Sequence, residues 1–349
     1  VKKALALLLM TLPVAVSAQA QSRTTSIPVG RCVNIGNTFE SPSEAAWGGS
    51  PITDDQIRAI AAAGFQTIRL PVRWDTHAGE AAPWTIEPAY LTRVAHVVDT
   101  ALASGLNIIL NSHHMAGIDD DPAANAPRLA GYWRQISAHF ANRPTSRLWF
   151  ELSNEPHNAF SNANLMATLT PSLAAVRATN PTRPVIIGGE NWSGIDSLTT
   201  LPMPDDPHVI PTFHYYDPFD FTHQGATWVN PAPPLGRSYG TAEDRARLER
   251  DVAKIRTYVA RTGLTPFMGE TGAHTTVSLD QRVAYHRAVR EAFEPLGIGM
   301  CQWAFANTFA FYDANQRQWL PGLRRAIGLA EQGAAQAPAA APAASPAPA

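Results

Sequence analysis

The sequence predicts a single-domain α/β protein, a (β/α)8 TIM barrel. Eight short β-branched or aromatic runs alternate with helical segments along the chain. The runs end in polar or aromatic residues, while their bodies stay apolar. No run is followed by GxGxxG or GxxxxGK, the glycine patterns typical of the competing doubly wound open sheet.

Residues 31–35 form the first run. A helix over 53–63 follows, opened by a capping box of Thr53 and Gln56 and stopped at Gly64. The second strand, 67–70, ends at Pro71. The next helix spans 88–103, with Leu91, Val94, Ala95, Val98 and Leu102 on one face and Gly105 after it. Residues 107–111 are the third strand and 126–141 its helix. The stretch 148–157, LWFELSNEPH, reads as a fourth, buried strand stopped by Pro156, which puts Glu155 at its C-terminal end. The helix after it is expected to break and restart, with Thr170 as N-cap and Pro171 in the first turn, and to end at Asn180-Pro181. Strands at 185–187 and 209–213 come next, then a helix over 241–262. A seventh strand covers 266–268. Ser278 and Gln281 predict a capping box for a helix over 278–296. The eighth strand is 300–303, and 320–330 is a last helix.

The flanks read differently. Residues 1–20 carry Lys2 and Lys3, an apolar stretch over 5–12 and a small-x-small site at Ala18-Gln19-Ala20. This is the pattern of a secretory signal peptide, with Val1 read as an initiator position. A secreted or periplasmic protein is expected. Residues 332–349 are almost all Ala and Pro, the composition of a disordered tail. One domain, 21–331, remains between them.

Charge excludes some partners. Lys and Arg number 27, Asp and Glu 29, and no basic run occurs, so neither nucleic acid nor an acidic membrane is expected as partner. A monomer is expected. Cys32 and Cys301 are the two cysteines, without the spacing of a zinc site. They lie on strands one and eight, neighbours in a closed barrel. Two buried free thiols are the preferred reading, because bridges across parallel strands rarely meet the geometry of a disulfide.

Catalytic residues of such a barrel come from the C-terminal ends of several strands. Those ends carry, in order, Asn37, Glu40 and Trp47; Arg69 and Arg73; His113 and His114; Asn154 and Glu155; Glu190 and Trp192; His214, Tyr215 and Tyr216; Glu270; and Trp303. A structural barrel has no reason to load one rim this way. Glu155 and Glu270 come from strands four and seven, so their side chains can converge over the axis. Two facing carboxyls fit glycoside hydrolysis, one as general acid and the other as nucleophile or base. Their proton affinities must differ, and Arg69 beside one of them would keep it ionised. Trp47, Trp303 and the aromatics of the long segment 215–239 suit the apolar faces of sugar rings. His113-His114 followed by Asp119-Asp120-Asp121 offers ligand types for a metal. Adjacent strand residues point to opposite faces, however, and no HxH or HExxH occurs, so no metal and no cofactor is expected.

These segments resemble glycoside hydrolase family 5, the cellulase group of retaining barrel glycosidases. The matching motifs are IRLPV with Arg69, NSHH with His113, FELSNEP, FHYY, MGETG and QWAF. VNIGNTFESPSEAAWG and FHYYDPFDFTHQGATWV are similar to the bacterial endoglucanases of subfamily 25, some of which also cleave mannan. The resemblance implies that Glu155 is the acid/base and Glu270 the nucleophile. It implies that Asn154 binds the sugar 2-hydroxyl and that Arg69, His214 and Tyr216 hold Glu270. His113 and His114 would line the subsite of the scissile sugar, with Trp303 as its platform. Asn37, Glu40, His223, Trp228 and Phe309 would bind substrate. Ala304 stands where close relatives carry a Glu, and Thr271 where an aromatic is common. The expected partner is a polysaccharide or oligosaccharide: β-1,4-glucan first, mannan second. A non-catalytic polysaccharide-binding barrel is the reading from another class.

Overall fold

The computed structural model describes Thr24 and residues 26–44, 46–48 and 50–331. The expected signal peptide and the Ala/Pro tail lie outside the described residues. Eight parallel strands close into a barrel: β1 (Arg31–Asn34), β2 (Thr67–Leu70), β3 (Asn107–Asn111), β4 (Leu148–Glu151), β5 (Val185–Ile187), β6 (Val209–His214), β7 (Phe267–Thr271) and β8 (Met300–Gln302). The predicted TIM barrel is thus the fold, and β1 closes on β8.

Nine α-helices are described. They are α1 (Asp54–Ala62), α2 (Pro88–Ala103), α3 (Pro122–His139), α4 (Leu165–Arg177), α5 (Glu190–Ser193), α6 (Phe219–Thr222), α7 (Ala242–Thr262), α8 (Leu279–Phe293) and α9 (Leu323–Ala326). The Thr53–Gln56 capping box forms as predicted. Helix α3 starts before residue 126, because the Asp121 side chain caps the Ala124 N–H and Pro122 suits the first turn. Helix α4 runs unbroken through Pro171. The Thr170 hydroxyl bonds back to Met166 O instead of capping a restart. The predicted capping box at Ser278 does not form. Ser278 Oγ turns to Asp280, and Gln281 Oε1 accepts from the Tyr239 N–H. The last helix is a single turn, α9. A two-stranded hairpin, β9 (Tyr312–Asp313) with β10 (Gln318–Trp319), precedes it.

Strand alternation sorts the side chains. Outward residues such as Val33, Ile68, Leu110, Phe150 and Met268 join the helices in the main core. Inward, at the base, sit Cys32, Ile109, Trp149, Ile186, Ile210 and Cys301. Nearer the mouth, the interior turns polar: Asn34, Arg69, Asn111 and Glu151 are all completely buried. The barrel is therefore dry at its floor and charged beneath its mouth.

Cys32 and Cys301 form a disulfide, which corrects the free-thiol reading. Their Cα atoms are 4.1 Å apart. The reason lies in the register: the two residues pair directly across β1 and β8, and alternation turns both inward.

Candidate active site

Arg69 is the centre of the polar layer. It has five N–H groups, and each has an acceptor. Nε and Nη2 reach the two oxygens of Glu151 at 2.8 and 2.7 Å. Nη2 also donates to Asn154 Oδ1 at 2.6 Å, and Nη1 donates to Asn34 Oδ1 at 2.9 Å and Glu270 Oε1 at 2.7 Å. Burial alone would weaken this cation, but the Glu151 and Glu270 carboxylates hold its pKa above the usual value. Four strands are thereby fixed to one guanidinium.

Glu155 lies four residues beyond the end of β4, in a loop rather than at the strand's last position. Neighbouring loops hold that segment. Ser193 Oγ donates to Asn154 O at 2.9 Å, and the Trp192 N–H donates to Pro156 O at 3.1 Å. The Ala159 N–H donates to Asp119 O at 2.9 Å. The Glu155 carboxyl meets His214 Nδ1 at 2.7 Å.

Glu270 lies within β7. Oε1 accepts from Arg69, and Oε2 accepts from the Tyr216 hydroxyl at 2.9 Å. His214 Nδ1 stands 3.7 Å from Oε2, so His214 sits closer to Glu155 than to the carboxyl it was expected to hold. Its ring fits because residue 269 is glycine: a Cβ there would lie 2.9 Å from His214 Nε2. One oxygen of each carboxyl and a nitrogen of His214 all lie within 4.8 Å of one another.

The two carboxyls differ electrostatically. Burial pushes Glu155 up to about 7, against the weaker pull of Arg69 and His157. Burial also raises Glu270, but the Arg69 cation that donates to its Oε1 opposes the rise. The direct Arg69 contact favours the carboxylate form at Glu270, and Glu155 has no such contact. Burial lowers His214 and His114 to about 4 and His113 well below its usual value, so all three imidazoles are neutral where Glu155 titrates. Burial lifts the Tyr216 phenol far above its ordinary range, which keeps it a donor.

Above this pair opens a cleft of about 620 Å³, walled by Asn37, His113, His114, Tyr216, His223, Trp228, Trp303 and Phe309 among others. Arg69, Asn154 and His214 lie buried beneath it. His113 and His114 both face the cleft, because β3 stops at Asn111 and strand alternation no longer governs them. Trp303 stacks on His113 with ring centroids 5.6 Å apart, and Gly36 leaves room for its ring: a Cβ there would come within 2.9 Å. Glu40 is placed differently. It is buried, and its carboxylate accepts the backbone N–H groups of Asn37 and Thr38, holding the loop that presents Asn37.

Some residues were not singled out from sequence. Glu151 and Asn34 anchor Arg69. Phe219 and Thr308 join the cleft wall. Trp192 appeared only as a strand-end residue. It is half-exposed and stacks on His157, with centroids 4.8 Å apart, beside the Glu155 loop. The Glu155–His214–Glu270 trio is the one place among the described residues where three ligand-type side chains converge. The Arg69 cation on Glu270 opposes a metal ion there. His113, His114 and Asp119–Asp121 do not gather into such a trio.

A closed (β/α)8 barrel with two carboxyls facing across its C-terminal mouth defines a glycoside hydrolase. The family described as Cellulase (glycosyl hydrolase family 5) matches residues 30–308, and the chain belongs to that family. Endoglucanase H of Acetivibrio thermocellus is 34% identical over 296 residues, which cover 83% of this chain and 31% of that protein. The cellulase/esterase CelE of the same organism is 29% identical over 314 residues, 82% of this chain and 37% of the relative. The chain thus spans about a third of the length of these curated relatives. Among solved structures, Thermotoga maritima Cel5A, determined with mannotriose and with cellobiose, is 33% identical at a TM-score of 0.83, covering 86% of this chain and 97% of that one.

Proposed function

We propose that this protein is a secreted endo-β-1,4-glucanase that acts with net retention, nearest to subfamily 25. The observation that carries the mechanism is the spacing and polarity of one pair. Carboxyl oxygens of Glu155 and Glu270 lie within 4.8 Å, too close to seat the water an inverting enzyme places between its two carboxyls. Glu270, ionised and held by Arg69 and Tyr216, attacks the anomeric carbon. The glycosidic C–O bond breaks as Glu155 gives its proton to the leaving oxygen. A water then enters, loses a proton to Glu155 and displaces Glu270. Neutral His214 donates through Nδ1 to one oxygen of Glu155 and leaves the acid proton on the other. Asn154, fixed by Arg69, addresses the 2-hydroxyl. Trp303 is the platform of the scissile sugar. Asn37, His113, His114, His223, Trp228 and Phe309 contact the rest of the chain, and the half-exposed Trp192 suits the leaving-group side.

The names of the relatives support glucan as substrate, and the Cel5A complex with mannotriose supports mannan as the second reading. Secretion draws support from the pattern of residues 1–20 and from the disulfide, which oxidising compartments favour. A monomer acting alone on polysaccharide is the proposed state.

The test is a rate panel on carboxymethylcellulose, barley β-glucan and glucomannan, with proton NMR of the first-formed anomer. Glucan turnover with retained configuration is expected. Faster mannan turnover would reverse the substrate order, and an inverted product would refute the mechanism. Glu270→Ala should lose nearly all turnover and regain part of it with azide. Protein that binds β-glucan but releases no reducing ends would establish the non-catalytic barrel instead.

A further inference from the structure

The backbone around Glu270 is irregular. The β6–β7 register shifts between Phe213 and His214, and the β7–β8 register shifts between Met268 and Thr271. The regular ladder is interrupted on both sides of the residue that must be placed most accurately. Past the shifts, the Tyr215 N–H donates to Glu270 O at 2.9 Å on the β6 side, and the Trp303 N–H donates to Thr271 O at 2.7 Å on the β8 side.

A further tie comes from behind the barrel. Tyr285, on α8, is completely buried. Its hydroxyl donates to Tyr215 O at 3.2 Å and lies 3.3 Å from Thr271 Oγ1. A phenol has one proton, so with that proton on Tyr215 O, Thr271 is the donor to Tyr285. The relay therefore runs from Thr271 through Tyr285 to Tyr215. Thr271 follows Glu270, and Tyr215 precedes Tyr216, whose hydroxyl donates to Glu270. The Tyr285 ring also packs on Phe221 and Tyr239, from the segment that walls the cleft, and on His286.

Resting on the glycosidase reading above, we propose that Tyr285 is a positioning residue for the nucleophile: its hydroxyl clamps the ends of β6 and β7 together and so sets the Tyr216–Glu270 hydrogen bond. It touches neither substrate nor reacting atoms. A sheet with an intact ladder would need no such clamp, and the two register shifts create the need. Arg69, His214, Tyr216, Glu155 and Glu40 are the titratable groups that act on Glu270, and only Tyr216 is tied to the clamp through its neighbouring residue.

Tyr285→Phe removes one oxygen and keeps the ring. Its kcat should fall roughly two- to tenfold, the effect of one buried hydrogen bond, with KM unchanged. In a Tyr216→Phe background the same change should have almost no effect, because the bond it positions is already gone. Equal fold-losses in the two backgrounds, or an unchanged kcat, would overturn the proposal. A second readout needs no substrate: a carbon-13 NMR titration of the Glu270 carboxyl. Loosening the Tyr216 bond should raise its midpoint, since that bond favours the carboxylate. An unmoved midpoint would also overturn the proposal. Thr271→Val, which removes only the outer member of the relay, should shift kcat and midpoint the same way by less. It serves if Tyr285→Phe does not fold. An inactive wild type on every glucan and mannan would sink the glycosidase reading, and the titration would still decide the role of Tyr285.

Discussion

Replacing Arg69 with Met keeps the volume of the side chain but removes five N–H groups at once. Glu151, which is fully buried, loses both of its partners, and Glu270, Asn34 and Asn154 each lose one. Breaking one buried ion pair by removing a single partner costs about 3–5 kcal/mol, because the remaining charge stays buried and unpaired. For roughly 300 ordered residues the unfolding entropy is about 0.6 kcal/mol per kelvin, so the melting temperature should fall by about 5–8 °C. Thermal unfolding followed by circular dichroism measures this. Adding Glu151→Met to Arg69→Met removes the stranded charge and should return at least part of the loss. A single variant that melts within about 2 °C of the wild type would refute the reasoning, as would a double variant no more stable than the single. Activity should not return in the double variant, because Glu270 would still lack its cation.

Other expectations follow from the same groups. Glu155 must carry a proton to act as acid and has its midpoint near 7, so kcat/KM on β-glucan should fall as pH rises through about 7. Glu155→Gln, assayed on an aryl glycoside that needs no acid, should lose that limb in burst kinetics of the first step. Thiol titration of the unfolded, unreduced protein should find no free cysteine, and Cys301→Ser should cost about 2–4 kcal/mol in denaturant unfolding. Burial lowers His286 from 6.5 to about 3, with a smaller contribution from Arg282. A depressed histidine means that the unfolded chain binds the extra proton first. Its contribution to stability is therefore intact above 6.5 and lost as pH falls from there towards 3, on the order of 5 kcal/mol in all. His286→Leu should flatten the melting temperature over that window.

The barrel was legible because its signals are local and repeated: capped helices, short apolar strands and polar residues where they end. Glu155 and Glu270 were legible as strand-end acids on opposite sides of a ring. Glu151 was within reach too. Alternation from Trp149 turns it inward, and an inward acid needs a cation such as Arg69 at the same level. Other features depend on register, which alternation does not supply. His214 leans on Glu155 because β6 and β7 shift where they meet. Cys32 meets Cys301 because β1 and β8 pair on that rung. Local chemistry misled at two points. Pro171 is tolerated inside α4, where it is exposed, and Ser278 finds a side-chain partner instead of capping. Glu40 sits at a strand end as a substrate ligand would, but two backbone N–H groups claim its carboxylate.

The bond between Cys32 and Cys301 fastens the first strand to the last across 269 residues of sequence. Mechanically, this turns the barrel into a hoop. Tension applied to the segments before Cys32 and after Cys301 passes through one covalent link at the floor and bypasses the wall of hydrogen bonds. Glu155, Glu270 and every tie that aligns them lie on the unloaded side of that link. An enzyme tethered by either end, or dragged along a solid surface, therefore keeps its two carboxyls out of the line of force, whereas Trp303, Thr308 and Phe309 of the cleft wall, which follow Cys301, lie in it. Once the link is reduced, the seam between β1 and β8 bears the load, and Arg69, one strand away from that seam, is the first part of the charged layer to feel it.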